Sequence, residues 1–269
     1  MDGLASLASL DSLRELALLV ALSSTRIAVA FLLLPVFALD TVPALVRNAV
    51  FLALGLLVVA LQPALAVGGL GNTQWFALFI KEALLGLALG FGLAAFLWAF
   101  QAAGQIVDTK VALANGQLMD PMSGQQVSVT AALLGRLAGF LFMFGGGFML
   151  FIGALLESFR GWPIGALRLA PRVGAVLVFE QHLSDFMSLA FLIAAPALVV
   201  MLAVDLALGL VNRYAPQLNV IALSMSLRGL AATAIWLLVL GNLVQLFGDE
   251  LARRIAALLP TLARIVAPP

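Results

Sequence analysis

The sequence predicts an all-α, polytopic membrane protein with about six long apolar helices, some of them kinked or broken. Of its 269 residues, 64% are hydrophobic and 10% are charged, whereas a soluble domain has about 45–50% apolar and about 25% charged residues. The apolar residues form runs of roughly 20, the length that a helix needs to span a bilayer. The alternating pattern of barrel strands is missing. Helices are therefore the structure that satisfies backbone hydrogen bonds in lipid.

Six segments meet this length criterion. They are Leu16–Leu39, Ala49–Val67, Ala83–Val107, Leu137–Leu156, Phe186–Val204 and Gly229–Gly248. The fourth contains Gly145–Gly147, which we expect to loosen or kink its helix. Gly86, Gly90 and Ala94 follow one another at four-residue spacing in the third, which lets helix backbones approach closely. That packing is either within the chain or against other subunits.

The ionisable residues argue against most kinds of chemistry. Lysine and arginine number 14 and aspartate and glutamate 13, so the net charge is +1 and no basic field attracts nucleic acid. Cysteine is absent, and the single histidine, His182, cannot build a multi-histidine metal centre. No phosphate-binding GxxxxGK[ST] motif occurs. We therefore expect neither an enzyme nor a bound cofactor.

A few polar side chains next to or within the apolar segments have more than one interpretation. Arg26 is a charge deep in the first segment, where exposure to lipid costs roughly 2.5–3.5 kcal/mol. It either pairs with a helix terminus or a carboxylate, or it lines a polar path or a subunit contact. We expect Lys81 and Glu82 to form an interfacial pair at the entry of the third segment, and Trp75 and Trp162 to anchor at the interface.

The connection at Asp108–Arg136 is too apolar for a loop in water, since its 29 residues carry only four charges. Met119 and Met122 flank Asp120-Pro121 at its centre. The two methionines either pack on neighbouring helices or form a deformable apolar seal in a passage.

Two features are expected near the end of the chain. Arg213 and Arg228 could pair with Asp205 or with carboxylates of a partner. Residues 249–269 form an amphipathic tail that could lie along a membrane surface or dock on a partner. We expect residues 1–269 to form a single domain.

The run at Val211–Arg228 resembles the signature of the FliR/SctT family of type III secretion export proteins. The residues that match it are Asn212, Arg213, Pro216, Gln217, Leu218, Asn219, Val220, Ser224 and Met225. The positions that depart from it are Ile221, Ser226 and Arg228, where phenylalanine, proline and lysine are usual. The Ser224-Met225 run favours the injectisome (SctT) branch, and Asp120-Pro121 matches an Asp-Pro of the family.

The resemblance implies a subunit of a helical, multi-subunit export gate in the bacterial inner membrane, with much of the complex on the periplasmic side. The implied partners are small helical subunits of the FliP/SctR and FliQ/SctS types, an FlhB/SctU-type switch protein, an FlhA/SctV-type export protein nearby, and unfolded secretion substrates. The family contributes a loop that plugs the pore, at about residues 108–126 here. The plug residues would be Gly116, Leu118, Met119, Asp120, Pro121, Met122 and Gly124. The residues expected to support assembly are those of the signature, with Arg228.

The alternative function is a self-contained transporter of small solutes. It would require a substrate site at the middle of the membrane, built on broken helices. Arg26 and the break at Gly145–Gly147 are the candidates for such a site.

Overall fold

The computed structural model describes most of the chain as helix. The described residues are 2–38, 42–61, 71–112, 128–166, 170–171, 174–215 and 220–267. Their helices are α1 (Asp2–Leu32), α2 (Ala44–Leu61), α3 (Asn72–Ala112), α4 (Val129–Phe144), α5 (Gly147–Gly161), α6 (Ala175–Tyr214) and α7 (Val220–Ile265). A short 3-10 helix at Pro35–Phe37 follows α1. Two short strands, β1 (Ala170–Pro171) and β2 (Val266–Ala267), pair antiparallel.

The predicted all-α architecture is confirmed. Among the described residues, five helices are long and apolar enough to cross a membrane, and α4 with α5 makes a sixth candidate as one broken span. The break lies at Gly145 and Gly146, where the chain bends by 67°. Gly146 has a φ of 79°, a left-handed conformation that a residue without Cβ adopts at little cost. The kink expected at the glycine cluster is therefore present.

The three longest helices extend far beyond the segments that the sequence predicts. α3, α6 and α7 contain 41, 40 and 46 residues. At 1.5 Å per residue these helices measure about 60–70 Å, twice the thickness of about 30 Å of a bilayer core. Apolar windows end at charged residues, but the backbone hydrogen bonds of a helix continue through them. α6, for example, includes Glu180 and Asp185 in its first turns.

The connections are correspondingly shorter. The predicted connection at Asp108–Arg136 is reduced to residues 113–128, because Asp108 lies in α3 and Arg136 lies in α4. Residues 215–219 connect α6 to α7. The amphipathic tail is not a separate element, since α7 continues through it to Ile265. Leu258 and Leu262 of this tail are buried by the chain itself. Their apolar face is therefore covered without a membrane or a partner.

The chain separates into two compact units, each built from non-consecutive segments. The first comprises Met1–Ala94, Gly146–Gln181 and Arg253–Pro269, and the second comprises Ala95–Gly145 and His182–Ala252. The expectation of a single domain stays a prediction.

An aromatic cluster around Phe31 of α1 forms part of the core of the first unit. Its ring centroid lies 4.9 Å from that of Phe37, 6.0 Å from that of Phe51 in α2 and 5.3 Å from that of Phe151 in α5. The contacts with Phe37 and Phe151 are edge-to-face, an arrangement that stabilises beyond the buried area alone. Aromatic packing thus joins α1, α2 and α5.

Glycines set the distance between α1 and α3 in the same unit. A Cβ atom on Gly90 would lie 2.6 Å from the carbonyl oxygen of Ala30, and one on Gly86 would lie 3.1 Å from the Cα of Arg26. No real Cβ comes as close as the first distance, so α1 crosses α3 where α3 has no side chain. The intramolecular interpretation of this spacing is confirmed for these two glycines.

In the second unit, α3 and α7 meet through phenylalanines. Phe247 of α7 lies 5.0 Å from Phe96 and 5.3 Å from Phe100, measured between ring centroids. All three rings are buried. This core holds the part of α3 that leads to the loop after Ala112.

We expect Gly90→Ala to lower the free energy of unfolding by about 1–3 kcal/mol, because an overpacked crossing must move α1 away from α3. Thermal unfolding in detergent measures this change. The matched control is Gly153→Ala in α5, where a Cβ meets nothing within 4 Å. That variant should be neutral or more stable by up to about 1 kcal/mol, the helix-propensity gain of alanine over glycine. Equal midpoints for the two variants would contradict the close crossing.

Candidate functional site

The residues predicted to plug a pore lie outside the described residues. They are Gly116, Leu118, Met119, Asp120, Pro121, Met122 and Gly124, all within 113–127. Their assignment stays a prediction. The structure does describe the base of this loop, where α3 ends and α4 begins.

Asp108 of α3 joins the two ends of that loop. Its Oδ2 accepts hydrogen bonds from the Ser128 hydroxyl and the Thr130 backbone N–H, both at 2.7 Å, and its Oδ1 accepts one from the Thr130 hydroxyl. Ser128 is the N-cap of α4 and accepts from Ala131 N–H at 3.3 Å. A carboxylate at a helix N-terminus satisfies free N–H groups and complements the helix dipole. Asp108 therefore starts α4 at a fixed place beside α3.

Gly104, one turn before Asp108, brings the two backbones together. A Cβ at this position would overlap the backbone of Thr130 and Ala131 in α4. The Asp108 clamp, which we define as Asp108, Ser128 and Thr130, thus sits on a glycine-mediated contact. Both features fix the base of the 113–127 loop.

The signature run is split between described and undescribed residues. Those outside the described ranges are Pro216, Gln217, Leu218 and Asn219, together with the side chains of Val220 and Met225. Asn212 and Arg213 are exposed near the end of α6, whereas Ser224 is buried in α7. The structure thus brings no cluster of signature side chains together in the part of the chain it describes.

Arg228 pairs with Asp205 of the same chain. The Arg228 Nε donates to Asp205 Oδ1 at 2.6 Å, and both side chains are mostly buried. Of the two partners left open by the sequence, the structure selects the internal carboxylate for Arg228. The pair links α6 to α7 on either side of residues 215–219. Arg213, by contrast, is exposed.

Arg26 is the centre of a buried polar network in the first unit. Its side chain has 0% exposure, and each of its three nitrogens donates a hydrogen bond. Nε donates to Glu82 Oε2 at 2.6 Å, Nη1 to the Ser158 hydroxyl at 3.0 Å and Nη2 to the Trp162 carbonyl at 2.8 Å. The guanidinium also lies over the ring of Phe159, 3.9 Å from its centroid. The structural interpretation of Arg26 is confirmed, with a carboxylate and a helix terminus as its partners.

Lys81 and Glu82 form the expected ion pair, but both side chains are buried in this network and are not exposed at a surface. Lys81 is 4% exposed and Glu82 is 0% exposed. The ammonium lies 2.8 Å from Glu82 Oε1 and donates to the carbonyls of Pro163, Ile164 and Ala166 at 2.8–3.1 Å. Glu82 sits between two cations, which compensates the cost of burying its charge.

Trp162 is also misplaced by the sequence prediction. It is buried and ends α5, where its N–H donates to the Ser158 carbonyl at 2.9 Å. Its own carbonyl faces Arg26, at the negative end of the α5 dipole. Two cations, Arg26 and Lys81, are thus held by one carboxylate and by backbone carbonyls at and beyond the end of α5. We call Arg26, Lys81, Glu82 and Ser158 the charge network.

Sequence reasoning missed Glu82 and Ser158 as partners of Arg26. A signal was available, because Lys81 and Glu82 are the only charges between Thr73 and Val107. A buried arginine requires a counter-charge, and the carboxylate next to Lys81 in an otherwise apolar stretch was a candidate for it. Ser158 carries no such signal, since a serine near a helix end has many roles. The side chains of the network are buried and paired, so none of them is an accessible reactive group. The network holds three segments of the chain together.

Most of the exposed side chains of α6 are apolar, although Glu180, Asp185 and Arg213 are exposed as well. Leu192, Val199 and Leu206 are exposed and follow one another at intervals of seven residues, so they share one face. Exposed apolar residues extend from Val176 to Tyr214, a distance of about 57 Å along the helix. A single bilayer crossing covers about half of that length.

The described residues contain no group of three histidine, aspartate or glutamate side chains that could hold a metal.

Comparison with known proteins places these features in a family. The family described as bacterial export proteins, family 1, matches residues 17–253. The chain is 32% identical over 212 residues to Yop proteins translocation protein T of Yersinia pestis, covering 77% of this chain and 80% of that protein. It is 29% identical over 224 residues to surface presentation of antigens protein SpaR of Salmonella typhimurium, covering 81% of each. It is 31% identical over 170 residues to flagellar biosynthetic protein FliR of Escherichia coli K12, covering 62% and 64%.

We expect Glu82→Gln to destabilise the protein by about 3–5 kcal/mol, because it leaves two buried cations without their carboxylate. Unfolding of the purified protein in detergent measures the change. The control is Glu157→Gln, which breaks an exposed 2.8 Å pair with Arg160 and should change stability by less than about 1 kcal/mol. A loss at Glu82 no larger than at Glu157 would show that the network is not a stability determinant.

We expect Asp108→Ala to weaken the start of α4 by about 1–2 kcal/mol, the usual effect of losing a helix cap. The amides of the first turn of α4, including Thr130, should then exchange with deuterium faster than in the unmodified protein. Asp185→Ala, at an exposed position of α6, is the control and should leave these amides unchanged. Unchanged exchange in Asp108→Ala would mean that the clamp does not hold the base of the loop.

Proposed function

We propose a function for this chain on the basis of its family. The chain belongs to the bacterial export proteins, family 1, which is the FliR/SctT family of type III secretion. It is a component of the type III export apparatus. The match over residues 17–253 carries this conclusion. The likeness to a Yop translocation protein, at 32% identity over 77% of the chain, together with the Ser224-Met225 run, favours the injectisome branch.

In this role the chain contributes to a conduit for unfolded proteins and performs no covalent chemistry of its own. A conduit needs a rigid wall and a passage that closes between substrates. The charge network and the phenylalanine cores supply the rigid part, because their side chains are buried and mutually paired. The closing element must be a segment that can deform, and apolar residues with unbranched methionines suit that task.

The loop at residues 113–127, which the sequence predicted at about 108–126, is our candidate for the plug. Its tip, from Gly116 to Gly124, combines flanking glycines with Leu118, Met119 and Met122. Two observations support the assignment. The tip carries three large apolar side chains that a passage can bury, and the Asp108 clamp anchors the base of the loop to α4 through Ser128 and Thr130. A plug that is fixed at its base and apolar at its tip can seal without leaving its place.

The partners are apolar helical subunits, which we identify with the FliP/SctR and FliQ/SctS types. The exposed apolar face of α6 supports this proposal, since it is longer than one bilayer crossing and lipid leaves part of it uncovered. Apolar surface of that extent outside lipid marks a protein interface. The FlhB/SctU-type and FlhA/SctV-type proteins would lie next to the same assembly, in the bacterial inner membrane, with part of the complex on its periplasmic side.

The signature run would serve assembly. Asn212 and Arg213 are exposed on α6, while the internal pair of Arg228 with Asp205 fixes α6 and α7 on either side of residues 215–219. Because the helices on both sides of residues 215–219 are held together, the exposed residues Asn212 and Arg213 keep a constant position. That is what a contact with a neighbouring subunit requires.

We expect removal of residues 116–124 to leave assembly intact and to make the membrane permeable to small ions. The reason is that the deletion spares the Asp108 clamp and the buried cores but removes the seal. Co-purification of the partner subunits tests assembly, and an ion-sensitive dye in the cells tests permeability.

The matched control is removal of Gly68–Leu70, a glycine-rich stretch between α2 and α3, which should leave the membrane tight. An assembled complex without residues 116–124 whose ion permeability is unchanged would refute the plug. If the purified chain transports small solutes alone and retains no partner subunits, the export-apparatus role is refuted.

A further inference from the structure

The first turns of α6 contribute little to the core of the protein. The helix begins at Ala175, but its buried residues all lie between Leu189 and Leu208. The ring of Phe179 stacks on that of Phe91 in α3, with centroids 4.6 Å apart, so this end of α6 is held in place. Residues 175–188 are therefore a fixed helical segment whose side chains are exposed or half-buried.

Four large apolar side chains follow one side of this segment. They are Val176, Phe179, Leu183 and Met187, which succeed one another at intervals of three, four and four residues and are 47–75% exposed. Such intervals place side chains on one face of a helix. The same pattern lets one helix pack along another. We call these four residues the α6 stripe.

The part of α6 that suits contact with lipid ends before most of the α6 stripe. The apolar face at Leu192, Val199 and Leu206 has Asp185 seven residues before Leu192, so Asp185 lies on that same face. Asp185 is exposed, and a carboxylate that faces hydrocarbon is unfavourable. The stripe continues past Asp185 toward the start of the helix. A row of exposed apolar side chains beyond the lipid boundary marks a contact with protein.

Glu180 gives the α6 stripe a charge at its edge. It lies four residues after Val176 and three before Leu183, so it is their neighbour on the helix surface. Glu180 is exposed and forms no ion pair or hydrogen bond with any residue that the structure describes. A carboxylate beside an apolar stripe favours a partner that carries a cation at the matching place.

We propose that the α6 stripe is the docking surface for a helix of another subunit, one with an apolar stripe of its own and a lysine or arginine opposite Glu180. The two helices pack along each other through their stripes. The charge pair at Glu180 fixes their register and disfavours helices that have a carboxylate at that place. The inference rests on the proposed function, since it requires partner subunits, and it names the surface and the charge that receive one of them.

The first test uses the full chain, assembled with its partner subunits in the membrane, with the photo-crosslinking amino acid p-benzoylphenylalanine in place of Leu183. We expect irradiation to join position 183 to a peptide of another subunit that is apolar at helical spacing and contains lysine or arginine. Mass spectrometry of the product identifies the peptide. The matched control is the same replacement at Gln181, an exposed residue on the other side of the helix, which should yield little of that product.

The second test reverses the charge at the edge of the stripe. We expect Glu180→Lys to lower the affinity for the cross-linked subunit roughly ten-fold, because like charges then meet at the contact. Retention of that subunit over a dilution series measures the affinity. Asp185→Lys makes the same change on another side of the helix and should leave the affinity unchanged. Exchanging the lysine or arginine of the cross-linked peptide for glutamate should restore binding to Glu180→Lys.

Several results would overturn the proposal. One is that partner subunits co-purify with the unmodified chain but position 183 cross-links to none of them, or only to a second copy of this chain. Another is that glutamate in place of Arg168 or Arg172, which lie outside the described residues, restores Glu180→Lys, since the cation would then belong to this chain. Equal losses from Glu180→Lys and Asp185→Lys would show that the charge beside the stripe selects no partner. A chain that retains no partner subunit refutes the proposed function together with this inference.

Discussion

Arg26 carries a charge into a part of the protein that water does not reach, and three segments of the chain are arranged to accommodate it. Glu82 comes from α3, Ser158 from α5 and the Trp162 carbonyl from the end of α5. Lys81 extends the same network to the carbonyls that follow α5. Such networks add little net stability compared with apolar packing, but a missing member leaves a buried charge unpaired. The network therefore specifies one arrangement of α1, α3 and α5, and Gly86 and Gly90 allow α1 to approach closely enough for it to form.

The sequence was sufficient for the class of fold and for the family, and insufficient for most of the contacts. Apolar runs, the glycine break and the Val211–Arg228 signature follow from local composition, so they could be recognised without a structure. The sequence shows that Arg26 needs a partner, but a helical pattern does not show which distant carboxylate lies next to it. The sequence places Glu82 at an interface because an apolar segment is taken to end at a charged residue. For the same reason the segments predicted within α3, α6 and α7 are too short. The partner of Arg228 was among the alternatives because Asp205 is near in sequence.

Two connections of the chain begin and end at helices that a carboxylate ties together. They are residues 113–127, which hold the predicted plug, and residues 215–219, which hold the centre of the signature. Asp108 ties α3 to α4, and Asp205 ties α6 to α7. Each connection therefore leaves and re-enters the helices at places that a short polar clamp fixes.

The residues of the charge network are synthesised at different times. Arg26 precedes Glu82 by 56 residues and Ser158 by 132 residues in the chain. At a synthesis rate of about 5–20 residues per second, Glu82 emerges roughly 3–11 s after Arg26 and Ser158 roughly 7–26 s after it. During that interval α1 carries an unpaired arginine whose transfer into lipid is unfavourable. Entry of α1 into the membrane therefore costs less free energy once α3 is made and Glu82 can pair with Arg26, although α2 is made between these two helices.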